Sequence, residues 1–174
     1  RGYNMKTKKP MKESRSVKSI QIFPEDTNHH NTMFGGKLMA EIDEIAAIAA
    51  MRHSGNSVVT ASTDSVDFLQ PIGTGEVISL VSFVTYAGKS SMEICVKVIS
   101  EDNINQKKHL AAYSFLTFVA LDKEGNKAEV PAIYPETDDE KWFYESAQDR
   151  VKLRQERRKE SKKTLDFMST KLYI

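Results

Sequence analysis

The sequence predicts an α+β domain in which a curved antiparallel sheet wraps one long helix. Two observations carry this expectation. Residues 45–51 are apolar on every side of a helical projection, with small alanines on several faces; a helix of that kind has to be covered by other structure rather than lie on a surface. Residues 57–121 then read as successive strands punctuated by turn residues, which supplies the covering layer.

Taken in order, residues 1–15 (RGYNMKTKKPMKESR) are polar and aperiodic and read as a disordered basic lead, residues 1–4 ahead of Met5 being an appended remnant. Residues 16–22 alternate imperfectly and read as a short strand that Pro24 ends. A polar loop over 25–32 leads to Met33-Phe34-Gly35-Gly36. From Lys37 the pattern turns helical, with Leu38, Ile42, Ile45, Ala46 and Ala49 on one stripe, until Ser54-Gly55-Asn56 stops it. Strands follow over 58–68, 76–86, 91–100 and 110–121. In the third, Met92, Ile94, Val96 and Val98 alternate with Glu93, Cys95 and Lys97, the pattern of a half-buried antiparallel strand. Two prolines make 130–135 an extended strap. Residues 138–163 lack Gly and Pro, carry acids first and bases last, and read as a helix with its charges matched to its dipole. The expected organisation is a lead over 1–15, a domain over 16–135, and a strap and basic C-terminal helical extension over 136–174.

A chain of 174 residues, 40% hydrophobic and 28% charged, suits one domain with a real core. No stretch approaches the roughly 18 apolar residues of a membrane span, and the basic N-terminus lacks the apolar segment of a secretory signal. Cys95 is the one cysteine, so no internal disulfide forms, no Cys/His cluster suggests a metal, and a reducing, cytoplasmic setting is expected. The net charge of +1 hides a division. Residues 1–15 hold six bases and one acid, and residues 150–163 eight bases and two acids, leaving residues 16–149 with ten bases and twenty acids. An acidic body argues against nucleic acid as the ligand, because phosphate contacts need Lys and Arg; the basic ends read as solvated.

The candidate chemistry centres on Asp43, in the second turn of the apolar helix. A carboxylate is costly to bury there without a partner. The alternative is that Asp43 and Glu44, about 100° apart, face solvent and complement the dipole. Gly35-Gly36 opens the same helix, where free N–H groups offer an anion or oxyanion site and missing Cβ atoms admit a ligand. Asn28, in the preceding loop, reads either as a carbonyl or water ligand or as a turn residue. Thr60 starts a strand segment that runs past the helix. His29, His30, His53 and His109 lack metal-pair spacing, and His53 suits a helix C-terminus. Cys95 has no activating surroundings.

With the run Asp26-Thr27-Asn28, Met33-Phe34-Gly35-Gly36-Lys37-Leu38-Met39-Ala40-Glu41-Ile42-Asp43-Glu44 in view, the chain resembles the hotdog-fold acyl-CoA thioesterases, bacterial relatives of the cytosolic acyl-CoA hydrolases. Residues 59–68, 88–94 and 115–121 support the likeness, which is collinear over about 16–135. The resemblance implies an antiparallel sheet curled round one helix, dimers joined sheet edge to sheet edge, and commonly a hexameric trimer of dimers, with active sites between protomers. It implies hydrolysis of acyl-CoA without cofactor, coenzyme A being part of the substrate. Asn28 then matches the active-site asparagine, Asp43 the catalytic carboxylate (general base or anhydride-forming nucleophile), and Thr60 a polar residue beside them. Gly35 and Gly36 would polarise the thioester oxygen, while Lys89, Ser90, Ser91 and Arg150 would meet the CoA phosphates. A non-catalytic acyl-CoA sensor on the same fold is the alternative, disfavoured by the acid at 43. Acyl-CoA hydration expects an Asp/His pair that is not seen.

Overall fold

The computed structural model describes residues 7–172. The order is β1 (Lys8–Pro10), a 3-10 turn (Met11–Ser14), β2 (Ser16–Gln21), a second 3-10 turn (Pro24–Asp26), α1 (Gly35–Ser54), β3 (Ser57–Phe68), β4 (Val77–Ala87), β5 (Ser91–Asp102), β6 (Lys107–Leu121), β7 (Ala132–Tyr134) and α2 (Asp138–Met168). Five strands form an antiparallel sheet in the order β2-β4-β5-β6-β3, while β1 and β7 pair as a separate parallel ribbon. Among the described residues, no helix is long and apolar enough to cross a membrane.

The sheet's inner face carries the alternate residues the sequence marks as apolar. Ile78, Leu80 and Val84 of β4, Met92, Ile94, Val96 and Val98 of β5, and Leu116 and Phe118 of β6 all pack in one core with Leu38, Ile42, Ile45, Ala46, Ala49 and Ala50 of α1. The alanines let the helix sit close enough for the Ser82 hydroxyl to donate to the Ile45 carbonyl at 2.8 Å. Gly55 ends α1 at φ 67°, in the left-handed region that favours glycine, and its N–H bonds the Met51 carbonyl.

Three expectations are corrected. Residues 8–14 of the lead are ordered: Lys8–Pro10 form β1, Met11 is buried in the core, and the Ser14 hydroxyl donates to the Met11 carbonyl and accepts from the Val84 N–H. The reading of residues 1–4 lies outside the described residues. Strand β5 is buried on both faces, because α2 lies across the outer one; Glu93 and Cys95 are as hidden as Met92 and Ile94. Finally, α1 is not encased within one chain. Met39, Ile48 and Met51 remain exposed, and Asp43 is half-buried on that open side. Beside it runs β3, a twelve-residue strand at the sheet edge, and so long an open edge is a surface proteins usually pair or cover.

Candidate active site

The loop that enters α1 is built from its own polar side chains. Asn28 Oδ1 accepts from the His30 N–H at 2.9 Å and from the Thr32 N–H and hydroxyl at 3.4 and 3.3 Å. Asn31 takes φ 58° inside this turn, a conformation asparagine tolerates. Asp26 caps the stretch: it bonds the Phe23 N–H and pairs with Lys37 of α1. The lysine above all, and then that N–H, hold its carboxyl below the ordinary carboxylate value. Asn28 thus fills its turn role through Oδ1, while no described residue accepts from its Nδ2, which stays available as a donor.

At the helix start, the N–H groups of Lys37 and Leu38 bond the Phe34 carbonyl, whereas those of Gly35 and Gly36 have no partner among the described residues, as the first turn of a helix requires. Glycine is not demanded here by the chain's own packing. A Cβ at position 35 would make ordinary contact with the Phe68 ring, and one at 36 would press only on the exposed Phe34 ring. Beside Gly35 opens a cleft of about 330 Å³, lined by Met33, Leu38, Phe68, Leu69, Pro71 and Ile72.

Asp43 lies two turns further along α1. Its Oδ1 accepts from the Thr60 hydroxyl at 2.8 Å, so the pairing suggested by residue type is realised between helix and edge strand. The other carboxylate oxygen has no hydrogen-bond partner among the described residues. Asn28 is not brought to Asp43 by any described hydrogen bond, and the Gly36 N–H stands seven residues away, about 10 Å along the axis. One chain therefore holds the acid and the unpartnered N–H groups of the helix start apart.

The turn carrying Lys89, Ser90 and Ser91 sits at the same end of the sheet as Thr60. Thr60 faces Phe118, which in turn faces Met92, so the turn's exit lies two strand spacings, about 10 Å, from Thr60. Lys89 is exposed, and among the described residues its ammonium has only a distant contact to Glu129. Arg150 differs from expectation. It is committed to Glu93, Nε to Oε1 at 3.0 Å, donates to Ser146 and the Phe143 carbonyl, and stacks on Phe115. In this chain it is an anchor of α2 rather than a free phosphate ligand. His53 also has a different task, since its buried ring contacts the Pro131 carbonyl at 2.8 Å and ties the strap to α1.

Sequence reasoning passed over Asp64, Glu93, Arg154 and Arg157. Fully buried Glu93 pairs with Arg154 at 2.8 Å and accepts from the Thr85 hydroxyl at 2.7 Å. Arg157 reaches Asp64 at 2.5 Å. The available signal was the spacing of Arg150, Arg154 and Arg157, which puts three guanidiniums on one helical stripe. Cys95 is buried, and burial pushes its thiol up to about 12. Iodoacetamide at neutral pH is expected to leave Cys95 unlabelled in the folded protein and to label it in denaturant, as intact-mass spectrometry would read.

An antiparallel sheet curled over one long helix is the hotdog architecture. A family model described as the thioesterase superfamily matches residues 30–105. The chain is 50% identical over 159 residues to the uncharacterized acyl-CoA thioester hydrolase YkhA of Bacillus subtilis, covering 91% of this chain and 92% of that one. It is similar in structure to an acyl-CoA hydrolase from Staphylococcus aureus solved with butyryl coenzyme A, coenzyme A and coenzyme A disulfide, with 59% identity, coverage of 93% and 99%, and a TM-score of 0.90. That hydrolase has also been solved with an aspartate, an asparagine or a threonine changed to alanine. An apo-hexameric acyl-CoA thioesterase matches at 44% identity, with coverage of 87% and 97% and a TM-score of 0.85. The chain belongs to the thioesterase superfamily, among the acyl-CoA thioester hydrolases.

Proposed function

We propose that this protein hydrolyses acyl-CoA thioesters to a free carboxylic acid and coenzyme A, at sites completed by a second copy of the chain. The observation that carries this reading is the separation just described: a carboxylate oriented by Thr60, and unpartnered N–H groups about 10 Å away on the same helix, on a face that the chain leaves open. Two such helices set antiparallel about a twofold axis would bring the start of one to Asp43 of the other. The long β3 edge would supply the join, and a trimer of these dimers would give a hexamer.

In the mechanism, Asp43 takes a proton from water through the oxygen that Thr60 does not hold. The water oxygen bonds to the thioester carbon, and the carbonyl oxygen becomes an oxyanion facing the Gly36 N–H of the second copy, with that copy's Gly35 beside it and its Asn28 Nδ2 as a further donor. Collapse breaks the carbon–sulfur bond, and the departing thiolate recovers the proton from Asp43. The acyl chain occupies the cleft beside Gly35. Lys89, Ser90 and Ser91 meet the CoA phosphates. A lone, buried cysteine suits a cytoplasmic setting.

Thiol release measured across acyl-CoAs from acetyl to palmitoyl tests the reading. Turnover of at least one member is expected; binding of CoA without release would instead mark a sensor. Asn28→Ala is expected to lower turnover roughly 10²-fold while leaving the protein folded, and an unchanged rate would reduce Asn28 to its turn role.

A further inference from the structure

We infer that Asp64, clamped from outside the sheet by Arg154 and Arg157 of α2, is a positioning residue for the Thr60–Asp43 pair; the inference rests on the catalytic role proposed for Asp43.

Within the chain β3 pairs with β6 alone, so the β3–β6 ladder sets its path on that side, the proposed join to a second copy lying along its other edge. Thr60 must present its hydroxyl to Asp43 at 2.8 Å. Two register shifts interrupt the β3–β6 ladder just beyond Thr60, one between Thr60 and Ser62 and one between Thr63 and Ser65. Shifts of this kind bend a strand and re-aim its side chains. The residues left over at them are Ala61 and Asp64. Ala61 has no means of holding a bulge. Asp64 has four: its carboxylate accepts from Ser62 at 2.7 Å and Thr117 at 2.6 Å, and pairs with Arg157 at 2.5 Å and Arg154 at 3.5 Å.

The clamp is fixed at its far side as well. Arg154 is 8% exposed and also binds Glu93, whose side chain is fully buried. Glu93 faces Thr117 across the β5–β6 ladder and Thr117 faces Ser62 on β3. Asp64, bulged out two residues further on, is tied to that row because its carboxylate accepts from both the Thr117 and the Ser62 hydroxyls. The row of Glu93, Thr117 and Ser62 is next to that of Met92, Phe118 and Thr60, with Ala61 bulged between them on β3. Helix α2 thereby acquires a task in the reaction: its arginines hold the bulged edge strand from behind in the shape that aims Thr60 forward.

The experiment compares wild type, Asp64→Asn, Arg157→Ala, Thr60→Ala and the double variant Asp64→Asn/Thr60→Ala, all as the full chain, by steady-state thiol release and thermal melting. Asp64→Asn and Arg157→Ala are each expected to lower kcat about tenfold with KM little changed, a misaim of a fraction of an ångström being enough for this. Arg157→Lys should recover part of the loss. In the Thr60→Ala background, Asp64→Asn should cost nothing further, because it acts through Thr60. Independent, multiplying losses in the double variant, or melting losses with kcat intact, would overturn the assignment. Arg157 is 41% exposed, so its alanine variant folds even if an Asp64 variant does not. Absence of turnover by the wild type with any acyl-CoA would be a different failure, that of the proposed function itself.

Discussion

Asp43→Ala ends thioester hydrolysis while leaving the protein folded and able to bind coenzyme A. The loss should be on the order of 10³-fold or more, because the general base is removed and alanine offers no oxygen to replace it. The small structural cost follows from the surroundings. Asp43 is half-buried, its one described side-chain partner is the Thr60 hydroxyl, and Thr60 is exposed. Removing the acid thus strands no buried donor, and the change in stability should stay within about 1 kcal/mol. Thiol release and a melting curve on the same preparation check both halves. Full turnover would remove Asp43 from the mechanism.

Glu93→Ala strikes the fold instead. Its carboxylate is completely hidden and is shared by Arg150, Arg154 and the Thr85 hydroxyl. Truncation leaves the largely buried Arg150 without a counter-charge and Arg154 with only its longer contact to Asp64, a defect that costs about 3–5 kcal/mol. For a chain of this length, the midpoint of thermal unfolding should fall by on the order of 10 °C. Glu93→Met combined with Arg154→Met should lose less than the sum of the separate changes, since a buried ion pair replaced whole by apolar groups costs little. An unmoved midpoint for Glu93→Ala would show that α2 is not docked through this cluster.

Much of this was legible in the sequence. The all-round apolar segment over 45–51 marked the central helix, Ser54-Gly55 marked its end, and the alternation of Met92, Ile94, Val96 and Val98 marked the inner face of a strand. Asp43 and Thr60 were singled out from their own segments and placed side by side by the family resemblance, and the fold joins them by one hydrogen bond. What was not legible depends on contacts between distant elements. The charged alternation of Glu93 and Lys97 looks like a solvated face, because nothing local says that residues 143–157 will cover it. Met11 in a lysine-rich lead looks solvated for the same reason. The open side of α1 was misread because a pattern reports that a face is apolar, not whether the covering surface comes from the same chain or another copy.

That second copy is central to the account. Asn28→Ala and Asp43→Ala chains, each nearly inactive alone, can be co-expressed with different tags so that they assemble together. If each site takes its loop from one protomer and its carboxylate from the other, every mixed dimer holds one intact site, and random pairing should restore about a quarter of wild-type thiol release. A mixed preparation no more active than its two parents would contradict the shared site, and with it the reason Asp43 lies on an uncovered face.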